Sequence, residues 1–228
     1  MAPGGSEAGM DIVEQALKML TPERVARIRQ AAAAQLRGLT IVFDGLHDPH
    51  NVSAVLRSCE ALGVQDAHLV AGVRSVDLSR GVTRGCERWL TLHWHEDAAH
   101  CTKALHAKGF RLLLAMPGPA SQPLEDVDFR QKTALVFGNE HAGVSSEFID
   151  AADGAYHIAM FGFVQSFNVS VAAAISLAHA ARARRQAVGG LTDMTPEEQA
   201  DLLQRWLKRE LAMRPGAGTR EHAPSEGR

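Results

Sequence analysis

Two short stretches of the chain gather residue types that could do chemistry together. An apolar run over 134–137 stops at Gly138-Asn139-Glu140-His141-Ala142-Gly143. A second, over 156–160, stops at Phe161-Gly162-Phe163-Val164-Gln165-Ser166-Phe167-Asn168 and feeds a long Ala-rich helix that ends in Arg182, Arg184 and Arg185. Glycines let a backbone approach a ligand closely. Amides, hydroxyls and a carboxylate supply oriented donors and acceptors. Two strand ends of this kind, one running into a helix, are where an open α/β sheet holds its ligand. A third polar cluster opens at Asp44-Gly45 and runs through Asn51 to a helix whose outer side carries Ser53, Arg57 and Glu60.

Several common chemistries lose support. The chain has no G-x-G-x-x-G after its first strand, no G-x-x-x-x-G-K-[ST] and no G-x-S-x-G, which argues against a nicotinamide fold, a P-loop and an α/β-hydrolase. His47 and His50 share a loop, and His93 and His95 flank Trp94, but neither pair has a third ligand at useful spacing. They read as surface or hydrogen-bonded histidines, and no metal is expected. Cys59, Cys86 and Cys101 are odd in number and widely spaced, so they read as reduced thiols.

The elements that must position these residues follow from pattern. With 228 residues, 46% of them hydrophobic, the chain suits one compact domain with appendages. No apolar run is long enough for a bilayer and MAPGGSEAGM lacks a signal segment, so a cytoplasmic protein without membrane contact is expected. Net charge is −2, from 24 basic and 26 acidic side chains, although Arg24, Arg27 and Arg29 crowd one helix.

Residues 1–9 and 215–228 have the composition of loose tails. Thr21-Pro22-Glu23 starts a helix expected to reach about Leu36, part of an N-terminal helical extension over 10–38. Strands are expected over 39–43, 67–70, 89–94, 110–115, 134–137 and 156–160, alternating with helices over 52–62, capped by Asn51 and ended by Gly63, and over 97–108. A loop or short helix is expected over 77–86. The alternation predicts an α/β core over 39–187, a mostly parallel sheet with helices on both faces. Thr195-Pro196-Glu197-Glu198 starts a last helix within 188–214, with Ala200, Leu203, Trp206, Leu207 and Leu211 as its apolar stripe.

The segment from Asp44 to Arg57, the Gly138-Asn139-Glu140 turn and the stretch from Met160 to Ser170 resemble, in order and spacing, the three motifs of SPOUT methyltransferases of the TrmH type. The N-terminal Thr-Pro-Glu-Arg-Val-Ala-Arg-Ile-Arg is similar to a first helix of that family, and the similarity covers about residues 20–190. The resemblance implies a deep C-terminal trefoil knot, over about 134–185, that cradles S-adenosylmethionine. It also implies a homodimer whose active site borrows from both chains. The reaction implied is methyl transfer to a ribose 2′-hydroxyl, of guanosine 18 in the D-loop of tRNA. The alternatives are a ribosomal RNA substrate and a silent, knotted RNA-binding protein.

Carried onto this sequence, the resemblance assigns Asn51 and Arg57 to the first motif, with Arg57 beside the target ribose. It assigns Glu140 to the second motif, and Ser166 and Asn168 to the third. Ala115, Gly138, Ile158, Met160 and Phe167 are implied to hold the cofactor. Arg24, Arg27, Arg182 and Arg184 are implied to meet tRNA phosphates.

Overall fold

A computed structural model of the chain describes residues 7–46, 48–70, 85–140 and 142–213. The elements begin with α1 (Glu7–Met19), α2 (Pro22–Ala32), β1 (Leu36–Phe43), α3 (Pro49–Leu62), β2 (Val64–Leu69) and β3 (Thr91–Trp94). They continue with α4 (Ala98–Ala107), β4 (Arg111–Ala115), β5 (Ser121–Pro123), β6 (Thr133–Phe137) and α5 (Ser146–Ala151). Strand β7 (Gly154–His157), α6 (Val169–Val188) and α7 (Pro196–Ala212) complete them. Contacts divide the chain into a unit Ala34–Met194 and a second unit built from its two ends.

The larger unit is a seven-stranded sheet in the order β3-β2-β1-β6-β4-β7-β5, every pair parallel. Parallel strands covered on both faces should read as near-continuous apolar runs. Strand β1 does: every residue of it but Arg37 is buried. Its side chains alternate between two cores. Ile41 and Phe43 pack with Val52, Val55, Leu56 and Cys59 of α3 and with Ala173, Leu177 and Ala180 of α6. Val42 faces the other way, toward Cys101 and Leu105 of α4 and Phe148 of α5. Alanines on α6 let that helix lie close to the sheet. In the smaller unit, Val25, Ile28 and Ala32 of α2 are buried, as are Leu202, Trp206, Leu207 and Leu211 of α7. Arg24 Nε meets Glu210 Oε1 at 2.8 Å.

Several expectations need correction. Helix α2 stops at Ala32, not at about Leu36: Leu36 is already in β1 and fully buried. The N-cap of α3 is Asp48, whose carboxylate accepts from His50 N at 2.8 Å, with Pro49 in the first turn. The Asp-Pro start outcompetes Asn51, which sits one turn in. Ser53 is buried instead of outward-facing. Residues 7–9 belong to α1, inside the stretch expected to be a tail. Strand β7 ends at His157, short of the expected Met160, and β5 was not foreseen. Strand β3 begins at Thr91, because Cys86–Trp89 form a 3-10 turn. On α7, Leu202 replaces Ala200 in the buried stripe. The loop expected over 77–86 lies outside the described residues except for its last two, and the tail 215–228 lies wholly outside.

Candidate active site

The carboxyl ends of β6, β4 and β7 are neighbours in the sheet, and a cavity of about 760 Å³ opens beyond them. Its walls include Ala115, Gly138, Glu140, Ile158, Met160, Ser166, Phe167 and Asn168. All five positions carried over for the cofactor therefore line one cavity, together with three of the five carried over for catalysis. The walls mix apolar carbon with a few polar groups, and the size lies within the range of small-molecule sites.

One side of the cavity is a tightly tied loop. Asn139 N donates to Gly143 O and Gly143 N to Asn139 O, each at 2.9 Å. Asn139 Oδ1 accepts from Ala142 N at 3.0 Å, and its Nδ2 donates to Gly45 O at 2.9 Å. Asp44 Oδ2 accepts from Ser145 N at 2.7 Å, closing the loop from the next strand. Gly143 has φ 73°, the left-handed region that glycine occupies without strain. A Cβ at Gly138 would run into the backbone of Gly143 and Val144. Gly138 is therefore required by close approach, Gly143 by its φ. Gly162 is neither: a Cβ there meets nothing. Asn139 and Asp44 stand within the motif segments, but the resemblance assigns neither a role of its own. Their signal was present, since an Asx residue beside glycine at a strand end is a loop-tying residue.

The three polar clusters meet at the rim. Asn51 Nδ2 donates to Glu140 Oε1 at 2.7 Å, and Asn168 Nδ2 donates to Asn51 Oδ1 at 3.2 Å. Asn168 is the N-cap of α6, its Oδ1 accepting from Ser170 N at 2.9 Å and Ser170 Oγ at 2.6 Å. Capping leaves its amide nitrogen pointing at Asn51. His157, unassigned by the sequence, also lines the cavity, and its Nδ1 lies 2.8 Å from Ser121 Oγ.

Arg57 is not in that wall. It is exposed on α3 and lines a separate hollow of about 550 Å³ with Glu60, Cys86, Arg88 and Trp89. Burial pushes the Cys86 thiol up to about 11; Glu87 and Glu60 push the same way and Arg57 opposes them.

The four basic positions carried over for RNA differ. Arg27 and Arg182 are exposed, and Arg24 is engaged by Glu210. Arg184 is a correction: it is 7% exposed, with Nε 2.8 Å from Asp193 Oδ2 and Nη1 donating to the carbonyls of Phe129 and Arg130. Asp193 also accepts from the backbone of Arg37 at 2.8 Å and Gly38 at 2.9 Å, so this guanidinium ties the start of β1 to the end of α6 and is not presented to a phosphate.

Of the histidines read as surface or hydrogen-bonded, His93 and His95 are hydrogen-bonded and His50 is exposed, while His47 lies outside the described residues. His93 Nε2 lies 2.7 Å from Asp66 Oδ1, and His68 Nδ1 lies 2.8 Å from His95 Nε2. Among the described residues His68, His95 and Cys101 hold ligand-type atoms within 4.8 Å of one another. Burial pushes His68 down to about 3 and the Cys101 thiol up to about 12. The three cysteines are free thiols. No helix among the described residues is long and apolar enough to cross a membrane.

Residues 38–178 match the model of the SpoU rRNA Methylase family. The chain belongs to that family. It is 37% identical over 192 residues to the tRNA (guanosine(18)-2′-O)-methyltransferase of Thermus thermophilus, covering 83% of this chain and 98% of that one. The TrmH/SpoU tRNA modifying enzyme of A. aeolicus superposes with a TM-score of 0.74 at 29% identity, over 83% of this chain and 97% of that one. The SpoU methyltransferase AviRb from Streptomyces viridochromogenes, solved in complex with AdoMet, gives a TM-score of 0.59 at 25% identity, over 66% of this chain and 61% of that one.

Proposed function

We propose that the chain methylates the ribose 2′-hydroxyl of guanosine 18 in the D-loop of tRNA, with S-adenosylmethionine bound in the cavity at the ends of β6, β4 and β7. The observation that carries this reading is the Glu140–Asn51–Asn168 hydrogen-bond chain at the cavity rim. It links the three motifs into one polar edge, next to the walls expected to hold the cofactor. The residues suit that group. The cavity is large enough, its walls are largely apolar, and the loop forming one wall packs so closely at Gly138 that a Cβ there would meet the backbone of Gly143 and Val144.

When bound, S-adenosylmethionine supplies a methyl group on a positively charged sulfur, an electrophile that needs little further activation. The protein's part is alignment and help to the attacking oxygen. Ala115, Gly138, Ile158, Met160 and Phe167 are the residues proposed to seat the cofactor, and Glu140, Ser166, Asn168 and Asn51 to shape the polar edge where the ribose arrives. Arg57 carries a planar guanidinium fork suited to phosphate oxygens. Its role is to hold a phosphate and favour the developing alkoxide by charge, not to remove a proton.

Arg57 lies outside its own protomer's cavity, which supports a homodimer in which position 57 of one chain serves the cavity of the other. Phe161, Phe163, Val164, Val171 and Ile175 are exposed around the start of α6 and fit such a subunit contact. The segment 134–185 is proposed to form a trefoil knot. Arg27 and Arg182, both exposed, are the cations proposed for tRNA phosphates, and the cytoplasm is the proposed compartment.

Incubation with labelled S-adenosylmethionine and total RNA, followed by mapping of the methylated nucleotide, tests the assignment. Label at guanosine 18 of tRNA is expected. Label in ribosomal RNA would move the substrate to the second reading, and no label in any RNA would sink the activity. Sizing in solution tests the dimer.

A further inference from the structure

The hollow on the outer face of α3 has a composition that fits one nucleobase. Four side chains in it carry the argument: Arg57, Glu60, Arg88 and Trp89. The Arg88 guanidinium carbon lies 4.7 Å from the centre of the Trp89 ring. Stacked guanidinium and indole planes are the surfaces on which unstacked RNA bases lie. Arg57 and Glu60 are three residues apart on α3, which sets their Cβ atoms about 5–6 Å apart. That is the scale separating the sugar of a purine nucleotide from the outer edge of its base. Their side chains form no ion pair with each other, and among the described residues neither is hydrogen-bonded elsewhere. An acid at this place is unusual for an RNA surface, because phosphates repel it. It is useful only toward something that donates.

Guanine donates twice along its outer edge, from N1–H and from the 2-amino group, in parallel. A carboxylate accepts twice in the same geometry. Adenine and cytosine each present a ring acceptor there, and uracil a single donor between two carbonyls. We propose that this hollow seats the base of the target guanosine, with Glu60 reading N1–H and the 2-amino group and the Arg88–Trp89 stack supporting the ring. The proposal rests on the RNA methyltransferase reading above and adds to it the residue that selects guanine.

The test compares tRNA carrying guanosine 18 with tRNA carrying inosine 18, which lacks only the 2-amino group, using the full-length enzyme. Wild type is expected to prefer guanosine by about ten- to a hundredfold in kcat/KM, the effect of losing one hydrogen bond to a charged acceptor. Glu60→Gln and Glu60→Ala are expected to lose a similar factor on guanosine and to bring the guanosine-to-inosine ratio close to one. Their S-adenosylmethionine affinity by calorimetry and their melting temperatures should stay at wild-type values. Trp89→Ala should raise KM for tRNA, and Trp89→Phe, which keeps a ring, should raise it less. A wild-type ratio near one, or a Glu60→Ala enzyme that keeps the wild-type ratio, overturns the proposal. An enzyme inert toward all tRNA would remove the functional reading as well, so the two failures are distinguishable.

Discussion

Asn51 and Glu140 lie 89 positions apart in the chain and are joined by a hydrogen bond of 2.7 Å. The bond ties the first turn of α3 to the loop that follows β6. Asn168 extends it to the start of α6. Three segments distant in sequence therefore share one polar edge, and each side chain orients the next.

Breaking that edge should affect turnover more than folding. Asn51→Ala and Glu140→Ala are each expected to lower kcat at least tenfold. Because the groups are exposed, unfolding free energy should change by no more than about 1 kcal/mol. The double variant should be scarcely worse than either single one, since the residues act as a unit. Steady-state kinetics on tRNA and urea titrations check both halves, and additive losses would count against the linkage.

Gly138→Ala should weaken S-adenosylmethionine binding at least tenfold in calorimetry. The added carbon meets the backbone of Gly143 and Val144, so the loop must shift. Overpacking of this kind costs about 1–3 kcal/mol of stability. Gly162→Ala is the contrast, because its Cβ meets nothing. Equal effects from the two would mean that the loop does not shape the cavity.

Arg184 and Arg182 should separate by assay. Arg184→Ala leaves Asp193 buried without its cation and should lose about 3–5 kcal/mol of stability. Arg182→Ala, on the exposed side of α6, should change stability by less than about 0.5 kcal/mol. It should instead lower tRNA affinity and reduce its salt dependence by about one phosphate contact. Urea midpoints and binding at several salt concentrations decide between the two roles.

Acid should destabilise the fold through His68. Burial, with His93 and His95 nearby, holds its ring neutral down to about pH 3, whereas an unfolded histidine takes a proton near pH 6.5. Between those values the unfolded chain binds more protons, so stability rises with pH and falls as pH drops from about 6.5. The contribution of His68 between pH 7.5 and pH 5 is on the order of 1–2 kcal/mol. His95, shifted the same way by its burial, adds to it. His68→Gln should flatten the dependence of the urea midpoint on pH over this range; an unchanged slope would assign the sensitivity to other groups.

Much of this architecture was legible in the chain. Thr195-Pro196-Glu197-Glu198 read as a helix start, and α7 begins there, with a capping box between Thr195 and Glu198; Gly63 ended α3 with φ 69° as a C-cap glycine should. The loop after β6 was legible because it carries a compositional mark in Gly138 and Gly143, and the positions that the resemblance assigned to the cofactor line one cavity beside it. What failed did so for local reasons with tertiary causes. Ala33 and Ala34 are good helix formers, but β1 needs Leu36 in the sheet, and pairing overrode propensity. Arg184 reads as a surface cation in a row of arginines. Only Asp193, nine residues on, reveals that it is buried. The separation of Arg57 from the cavity was not readable at all, because helical period fixes the face of α3 but not what lies opposite it.

The sheet order has a consequence for synthesis. Strand β1 is central, and its neighbour β6 pairs Leu39 with Thr133 and Phe43 with Phe137. At typical rates of translation the ribosome needs roughly 5–20 s to supply the missing partner. Throughout that interval the apolar edge of β1 is open to the wrong neighbour, and closure of so long a loop is intrinsically slow. Nascent chains stalled before residue 133 are therefore the species that a chaperone would have to guard.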